Sequence, residues 1–126
     1  MKILKVIKNH VNEFHVPLIA AKGEFVQGEK RETEYEGWLW CQNSAGVNAW
    51  VPETYLEKTS DPGKFQFLKD YNSRELTIDE GQEVIVLDED SEWAWVRTTL
   101  GEEGWIPLAN LQDLKEGPDS IPDLMR

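Results

Sequence analysis

Short hydrophobic stretches separated by turn-forming residues recur along the chain, which is typical of β-strands. In the second half, a β-branched run at 83–87 is followed by a polar turn at 88–92 and a further strand at 93–98. Because successive side chains of a strand point to opposite faces, Ala94 and Val96 should face inward, opposite the neighbouring tryptophans. The pattern predicts an all-β fold.

The end of this half predicts a hairpin followed by a short helical turn. Residues 101–104 read Gly-Glu-Glu-Gly and should form a tight hairpin. The returning strand at 105–107 should end at Pro107, because proline has no N–H to donate to a sheet. Residues 108–111 should then form the helical turn.

The six tryptophans reveal an internal duplication, in which one constant offset relates two blocks of the chain. No gap interrupts the match across this block. The matching pairs are Trp38 and Trp93, Trp40 and Trp95, Gly46 and Gly101, Trp50 and Trp105, Pro52 and Pro107, and Leu56 and Leu111. The first half should therefore repeat the strands of the second.

The strands of the first copy are expected at 24–31, 38–43 and 47–51. Leu39 and Cys41 should face inward, as Ala94 and Val96 do in the second copy. We therefore interpret Cys41 as a small core residue rather than as a nucleophile.

The duplication predicts two small β-barrels in tandem, at 1–57 and 64–113. Residues 58–63 have the composition of a short linker, and residues 114–126 that of a flexible tail. The N-terminal run at 3–7 is compatible with a helix or a strand because its apolar positions come in pairs. We favour a strand, since a barrel of this kind needs one there.

The charge of the chain limits its partners. The sequence has 13 basic and 24 acidic side chains, a formal net charge of -11. Such a chain has little nonspecific attraction to phosphate backbones or anionic membranes, so no nucleic acid and no membrane is expected as a partner. Residues 1–57 carry a net charge of -2 and residues 58–113 a net charge of -8. A partner of the second barrel should therefore be basic, and its association should slow as salt is raised.

The chain offers few groups for metal binding or catalysis. One cysteine and two histidines cannot form a disulfide or the usual Cys-rich zinc site. The segment from His10 to His15 lacks the spacing of a metal motif, and the carboxylates cluster in turns. The lysine-interrupted N-terminus does not resemble a secretory signal, and no run approaches a membrane span. We expect a cytoplasmic, non-enzymatic protein without cofactor or metal.

The second copy resembles the Src-homology-3 (SH3) domain. Residues 68–71 are similar to the family's Ala-Leu-Tyr-Asp-Tyr motif, and residues 75–78 to its Glu-Leu-Ser-Phe motif. Residues 80–87 match its Gly-Asp-x-Ile-x-Val-Leu strand, Trp93 falls on the first of its paired tryptophans, and residues 101–107 are similar to Gly-x-x-Gly-Tyr-Ile-Pro. The whole chain looks like a prokaryotic-type tandem SH3-like protein.

The resemblance implies a groove of aromatic residues that binds a polyproline helix. In the second copy it assigns this groove to Tyr71, Trp93 and Pro107, with Trp95 as the paired tryptophan. Three acids should attract a basic residue of the ligand: Glu75, Asp79 and Glu80. Lys69 and Asn110 replace two tyrosines of the family pattern.

In the first copy, residues 50–56 resemble the family's C-terminal motif, whereas residues 14–18 show no tyrosine motif. Four residues are assigned to its groove: Trp38, Trp40, Pro52 and Tyr55. The paired tryptophans suit either ligand contact or core packing, and Trp50 and Trp105 favour a structural role.

The leading hypothesis is a protein- or peptide-binding module whose partner segment is basic or contains proline. The alternative is a small-molecule, glycan or peptidoglycan-binding protein that uses the cleft between the barrels. An enzyme ranks last among the three interpretations.

Overall fold

The computed structural model describes residues 2–14, 16–33 and 35–113, and the expected tail at 114–126 lies outside them. The described residues are built from strands and two 3₁₀ turns, without an α-helix, so the all-β prediction is confirmed. The strands are β1 (Lys2–Val6), β2 (Ile19–Ala20), β3 (Phe25–Glu29), β4 (Trp38–Gln42), β5 (Asn48–Pro52), β6 (Leu56–Lys58), β7 (Lys64–Phe67), β8 (Tyr71–Asn72), β9 (Glu83–Asp90), β10 (Trp93–Thr98), β11 (Glu103–Pro107) and β12 (Leu111–Asp113). The 3₁₀ turns are Glu53–Tyr55 and Leu108–Asn110.

These strands form two antiparallel five-stranded sheets and one two-stranded ribbon. The sheet orders are β11-β10-β9-β1-β12 and β5-β4-β3-β7-β6, and β2 pairs with β8. The strands from β4 to β6 correspond to those from β10 to β12 at the offset that separates Trp38 from Trp93. The duplication in sequence is therefore a duplication in topology.

One inner strand of each sheet comes from outside its own sequence copy. In the second-copy sheet, β1 lies between β9 and β12, with Leu4 opposite Val84 and Val6 opposite Leu111. In the first-copy sheet, β7 occupies the equivalent place between β3 and β6. The first strands of the two copies are thus exchanged.

The backbone hydrogen bonds of the two exchanged strands are equivalent. The amide of Val6 donates to the carbonyl of Gln82 over 2.8 Å, and the amide of Phe67 donates to that of Glu24 over 2.8 Å. Val6 and Phe67 are both fully buried. Two side chains of different size thus fill equivalent positions in the two five-stranded sheets.

This exchange divides the chain differently from the expected barrels at 1–57 and 64–113. One compact unit contains residues 2–13 with 75–113, here called unit I, and the other contains residues 14–74, here called unit II. The expected linker at 58–63 lies inside unit II, where it joins β6 to β7.

The short connection between β6 and β7 gives a physical reason for this division. Only residues 59–63 join the two strands, the amide of Lys64 donates to Asp61, and Gly63 adopts a positive φ of 80°. So short a connection favours an antiparallel hairpin between its flanking strands. The hairpin places β7 in the first-copy sheet and leaves the equivalent place in the second-copy sheet to β1.

The inward faces of the strands agree with the sequence pattern. Leu39, Cys41, Ala94 and Val96 are all buried, and the run at the N-terminus is a strand as expected. β11 ends at Pro107, and the predicted helical turn is the 3₁₀ turn that follows it.

The predicted turn at 88–92 is shorter in the structure, because β9 continues to Asp90. Asp88 and Asp90 pair across the sheet with Trp95 and Trp93. Only Ser91 and Glu92 are left for the turn, and both have positive φ, which matches the twist that a two-residue hairpin requires. Acidic residues typical of turns therefore occupy a strand beside the tryptophans.

The exchanged arrangement predicts that a core mutation in β1 weakens the second-copy sheet. Val6→Ala removes buried methyl groups and should cost about 2 kcal/mol of unfolding free energy. Amide hydrogen exchange should then show the loss of protection in β9 to β12. The matched variant Ile3→Ala, at a position that is 43% exposed, should have a much smaller effect. Loss of protection confined to β3 to β5 would contradict the exchange.

Candidate functional site

The outer surface of β10 carries two tryptophans beside acidic residues. Trp93 and Trp95 are partly exposed, whereas Ala94 and Val96 on the opposite side are buried. Trp93 lies between Asp90 of β9 and Pro107 of β11, its direct cross-strand partners. Directly opposite residues of antiparallel strands share a face of the sheet. We refer to Trp93, Asp90, the adjoining His10 and Pro107, which is buried beside Trp93, as the Trp93 face.

The second tryptophan of this strand is held by a polar network. Its ring lies 5.5 Å from that of Trp105, and its indole N–H donates to Glu103 over 3.0 Å. Arg97 also donates to Glu103. These hydrogen bonds, from Trp95 first and then Arg97, lower the pKa of Glu103 below its usual value. Trp95 is therefore fixed in orientation by groups of its own sheet.

His10 is a member of the site that sequence reasoning did not assign. Its ring centroid lies 5.5 Å from that of Trp93, with the two rings nearly perpendicular. Backbone hydrogen bonds in both directions between His10 and Ile78 hold it in place. Nδ1 of His10 lies 2.9 Å from the carbonyl oxygen of Leu76, and since a carbonyl only accepts, Nδ1–H is the donor.

The sequence contains a signal for His10, but it can be read only when the first strands of the two copies are compared. Residues 6–10 and 67–71 share the order apolar, apolar, lysine, Asn or Asp, and an aromatic ring. In this register Val6 corresponds to Phe67 and His10 to Tyr71. Their backbone pairings correspond too. His10 forms an antiparallel bridge with Ile78, and Tyr71 pairs antiparallel with Ala20. The signal is hidden because this register differs from the one that relates the tryptophans.

Glu75 contacts His10 rather than standing free in solvent. Its Oε1 lies 3.4 Å from Nε2 of His10, and the side chains of Glu75 and His10 are 16% and 15% exposed. Burial, and secondarily the negative charge of Glu13, raises the pKa of Glu75 to about 7. The predicted ligand-attracting acid is therefore one half of a partly buried histidine–carboxylate pair.

The other two predicted acids are exposed and lie just before β9. The amide of Asp79 donates to Gln82 and that of Glu80 donates to Asn9, so both positions have fixed backbones. Their carboxylates remain in solvent, where they add to the negative potential of unit I.

The residues that depart from the family pattern have structural roles. The Asn110 side chain is 6% exposed and donates to the carbonyls of Lys8 and Asn9. It thereby fastens the segment that carries His10. Lys69 lies with its Nζ 4.2 Å from the ring centroid of Tyr55, a cation–π contact within unit II.

The structure places Tyr71 in unit II, and Trp93 and Pro107, with which it was grouped, in unit I. Tyr71 belongs to unit II, where its ring lies 4.9 Å from Tyr55 and its hydroxyl donates to the carbonyl of Trp50. Together with Trp38 and Pro52, these residues assemble the first copy's aromatic set. Tyr71, Tyr55 and Trp38 are only 4%, 6% and 7% exposed, so this set offers little surface to a ligand.

The paired tryptophan of unit II is covered by groups of its own unit. The Trp40 ring lies 5.1 Å from Trp50 and 6.2 Å from Phe14, and the Arg31 guanidinium lies 5.3 Å from its centroid. Where unit I places Asp90 beside Trp93, unit II thus brings an arginine to its own tryptophans. The two copies differ in charge at their aromatic surfaces.

Cys41 shows no sign of reactivity. It is 1% exposed, and burial raises the pKa of its thiol to about 12. Within the described ranges, no group of three or more His, Cys, Asp or Glu side chains is placed to hold a metal ion. The same residues contain no helix that is long and apolar enough to cross a membrane.

Comparison with known families gives one match. Residues 68–108 match the family model of the SH3 domain. The matched segment begins in unit II and continues through unit I, so the exchange divides the matched residues between the units. No curated protein and no solved structure matches the chain. Residues 68–108 are therefore similar to an SH3 domain.

The raised pKa of Glu75 predicts a pH-dependent stability. A carboxyl whose pKa is higher in the folded than in the unfolded state contributes stability below about pH 4.5, and this contribution is lost as the pH rises through about 7. Glu75→Gln retains a neutral hydrogen-bonding group and cannot ionise. Urea unfolding should show that this variant gains stability relative to the wild type as the pH is raised from 5 to 8. The exposed control Glu80→Gln should show no such gain. An equal difference between variant and wild type at both pH values would contradict the burial of the charge.

Proposed function

We propose that this protein is a non-enzymatic module that binds a basic or proline-containing segment of a partner protein on the Trp93 face. The match to the SH3 domain supports a binding role, since such domains bind peptide segments that are often proline-rich. A polyproline helix has no internal hydrogen bonds, so its rings and carbonyls are available to an aromatic surface.

The observation that carries this proposal is the unequal exposure of two equivalent tryptophans. Trp38 and Trp93 occupy the same position in the two sheets, and each pairs with a proline of the neighbouring strand. Trp38 is only 7% exposed, whereas Trp93 is partly exposed beside Pro107. Pro107 is buried, so the partly exposed ring of Trp93 is the apolar surface that a proline ring of the partner could contact.

The charge of unit I supports a basic partner. Residues 2–13 and 75–113 contain four basic and twelve acidic side chains, a net charge of -8, against -2 for unit II. Asp90 lies directly beside Trp93, and Glu92 is exposed at the adjoining turn. A cationic side chain could therefore stack on the indole and meet a carboxylate at its edge.

Peptide titration followed by the indole ¹H–¹⁵N resonances of the full-length protein tests this proposal. The probe is a synthetic peptide of a dozen residues with two prolines three positions apart and flanking arginines, and an acidic peptide of the same length serves as its comparison. We expect the Trp93 resonance to shift with the basic peptide, and Trp93→Ala to weaken binding at least about tenfold, as truncation of a central interface tryptophan does. The matched control Trp40→Phe, in unit II, should bind as the wild type does.

The same titration at low and high salt tests the electrostatic part. Binding of the basic peptide should weaken as salt screens the carboxylates of unit I. Shifts of Trp40 or Trp50 with an unchanged Trp93 resonance would contradict the proposed surface. Equal affinity at both salt concentrations would contradict the role of charge.

A further inference from the structure

We infer that the His10–Glu75 pair makes the Trp93 face a proton-controlled binding surface, on which loss of a proton from the pair strengthens the binding of a basic segment. This inference rests on the proposed function and concerns the regulation of the same surface. It draws on the position of the pair, its hydrogen bonds and the charges around it.

The hydrogen-bond geometry fixes how many protons the pair holds. Nδ1–H of His10 donates to the carbonyl of Leu76, so Nε2 is the nitrogen that faces Glu75. A hydrogen bond between Nε2 and the carboxyl needs one proton between them, either on the imidazole or on the carboxyl. In both cases the pair has no net charge. A second proton makes it cationic, and loss of the shared proton makes it anionic.

The surroundings of Glu75 place its titration near neutral pH. Both side chains are mostly buried, and burial raises the pKa of Glu75 to about 7. The other charge acting on Glu75 is that of Glu13, which follows His10 on the N-terminal segment. β10 contributes the ring of Trp93, and β11 contributes the backbone of Trp105, which bridges to Glu75. Glu75 therefore exchanges its proton at a higher pH than an ordinary carboxyl does.

The contact between His10 and Trp93 connects the pair to the binding surface. The two ring centroids are 5.5 Å apart, so a charge on the imidazole lies within reach of a cation stacked on the indole. A like charge at such a distance repels the ligand, and an opposite charge attracts it. At an effective dielectric constant between those of water and the protein surface, one unit of charge changes affinity by about fivefold.

Unit II has a different group at the corresponding position. There Tyr71 replaces His10, and its hydroxyl donates to the carbonyl of Trp50. The hydroxyl of Ser73 accepts a hydrogen bond from the amide of Leu18, next to the ribbon formed by β2 and β8. The aromatic position of unit II is thus filled by a phenol instead of an imidazole. The histidine–carboxylate pair lies in the unit whose first tryptophan is partly exposed.

The first experiment uses the full-length protein without a ligand. The ring ¹⁵N resonances of His10 and the indole resonance of Trp93 are followed from about pH 5 to about pH 9, the range in which such a pair titrates. We expect both to titrate with a shared midpoint and Glu75→Gln to move that midpoint. The double variant His10→Gln with Glu75→Gln should leave the Trp93 resonance constant over this range. A Trp93 resonance that stays constant while His10 titrates would overturn the inference, whether or not any peptide binds.

The second experiment measures the affinity of the same arginine- and proline-containing peptide at pH 6 and pH 8. The wild type should bind about fivefold more tightly at pH 8. The double variant His10→Gln with Glu75→Gln has no titratable group at the pair and should bind equally at both pH values. The matched control Glu92→Gln removes an exposed carboxylate, so it should weaken binding at both pH values and keep the ratio between them.

Two outcomes of this measurement would overturn the inference: equal affinity of the wild type at both pH values, or an unchanged ratio in the double variant His10→Gln with Glu75→Gln. Absence of binding at every pH would instead contradict the proposed function. A shared titration of His10 and Trp93 would in that case still support their coupling.

Discussion

The insertion of β1 between β9 and β12 is the interaction on which the rest of unit I depends. It places Leu4 and Val6 in the core, opposite Val84 and Leu111, and joins two strands of the sheet that would otherwise be separated. A strand with partners on both sides has its backbone groups satisfied inside the sheet, and the two buried side chains add apolar area to a small core. The N-terminal strand is therefore part of the second copy's fold.

The position of the site follows from the same strand. β1 runs on into the segment that carries His10, and the Asn110 side chain fastens that segment by donating to two of its backbone carbonyls. His10 then meets both Trp93 and Glu75. Without the exchange, the partner of Trp93 would be the tyrosine of residues 68–71, which lies in unit II. The exchange thus gives Trp93 a histidine neighbour and places Tyr71 against Tyr55 in unit II.

Sequence reasoning predicted the elements well and their grouping poorly. The gapless offset from Trp38 to Trp93 identified equivalent strands because their tryptophans, glycines and prolines have fixed places in a hairpin. The same offset carries no information on which copy receives β1 or β7, since Val6 and Phe67 both suit one buried position. The family model also matches along the chain, from 68 to 108, and so includes residues that fold into unit II. His10 was missed because it lies in a segment to which the sequence pattern assigned no strand. The acidic end of β9 was missed because a run of acidic residues is typical of a turn.

Cross-strand nuclear Overhauser effects in the full-length protein test the exchange most directly. The structure predicts contacts between the backbone protons of β1 and β9, from Leu4 to Val84, and between those of β7 and β3, from Phe65 to Val26. An unexchanged chain would instead show contacts from Leu4 to Val26 and from Phe65 to Val84. Observation of the first set would confirm the exchanged strands, and observation of the second set would contradict them.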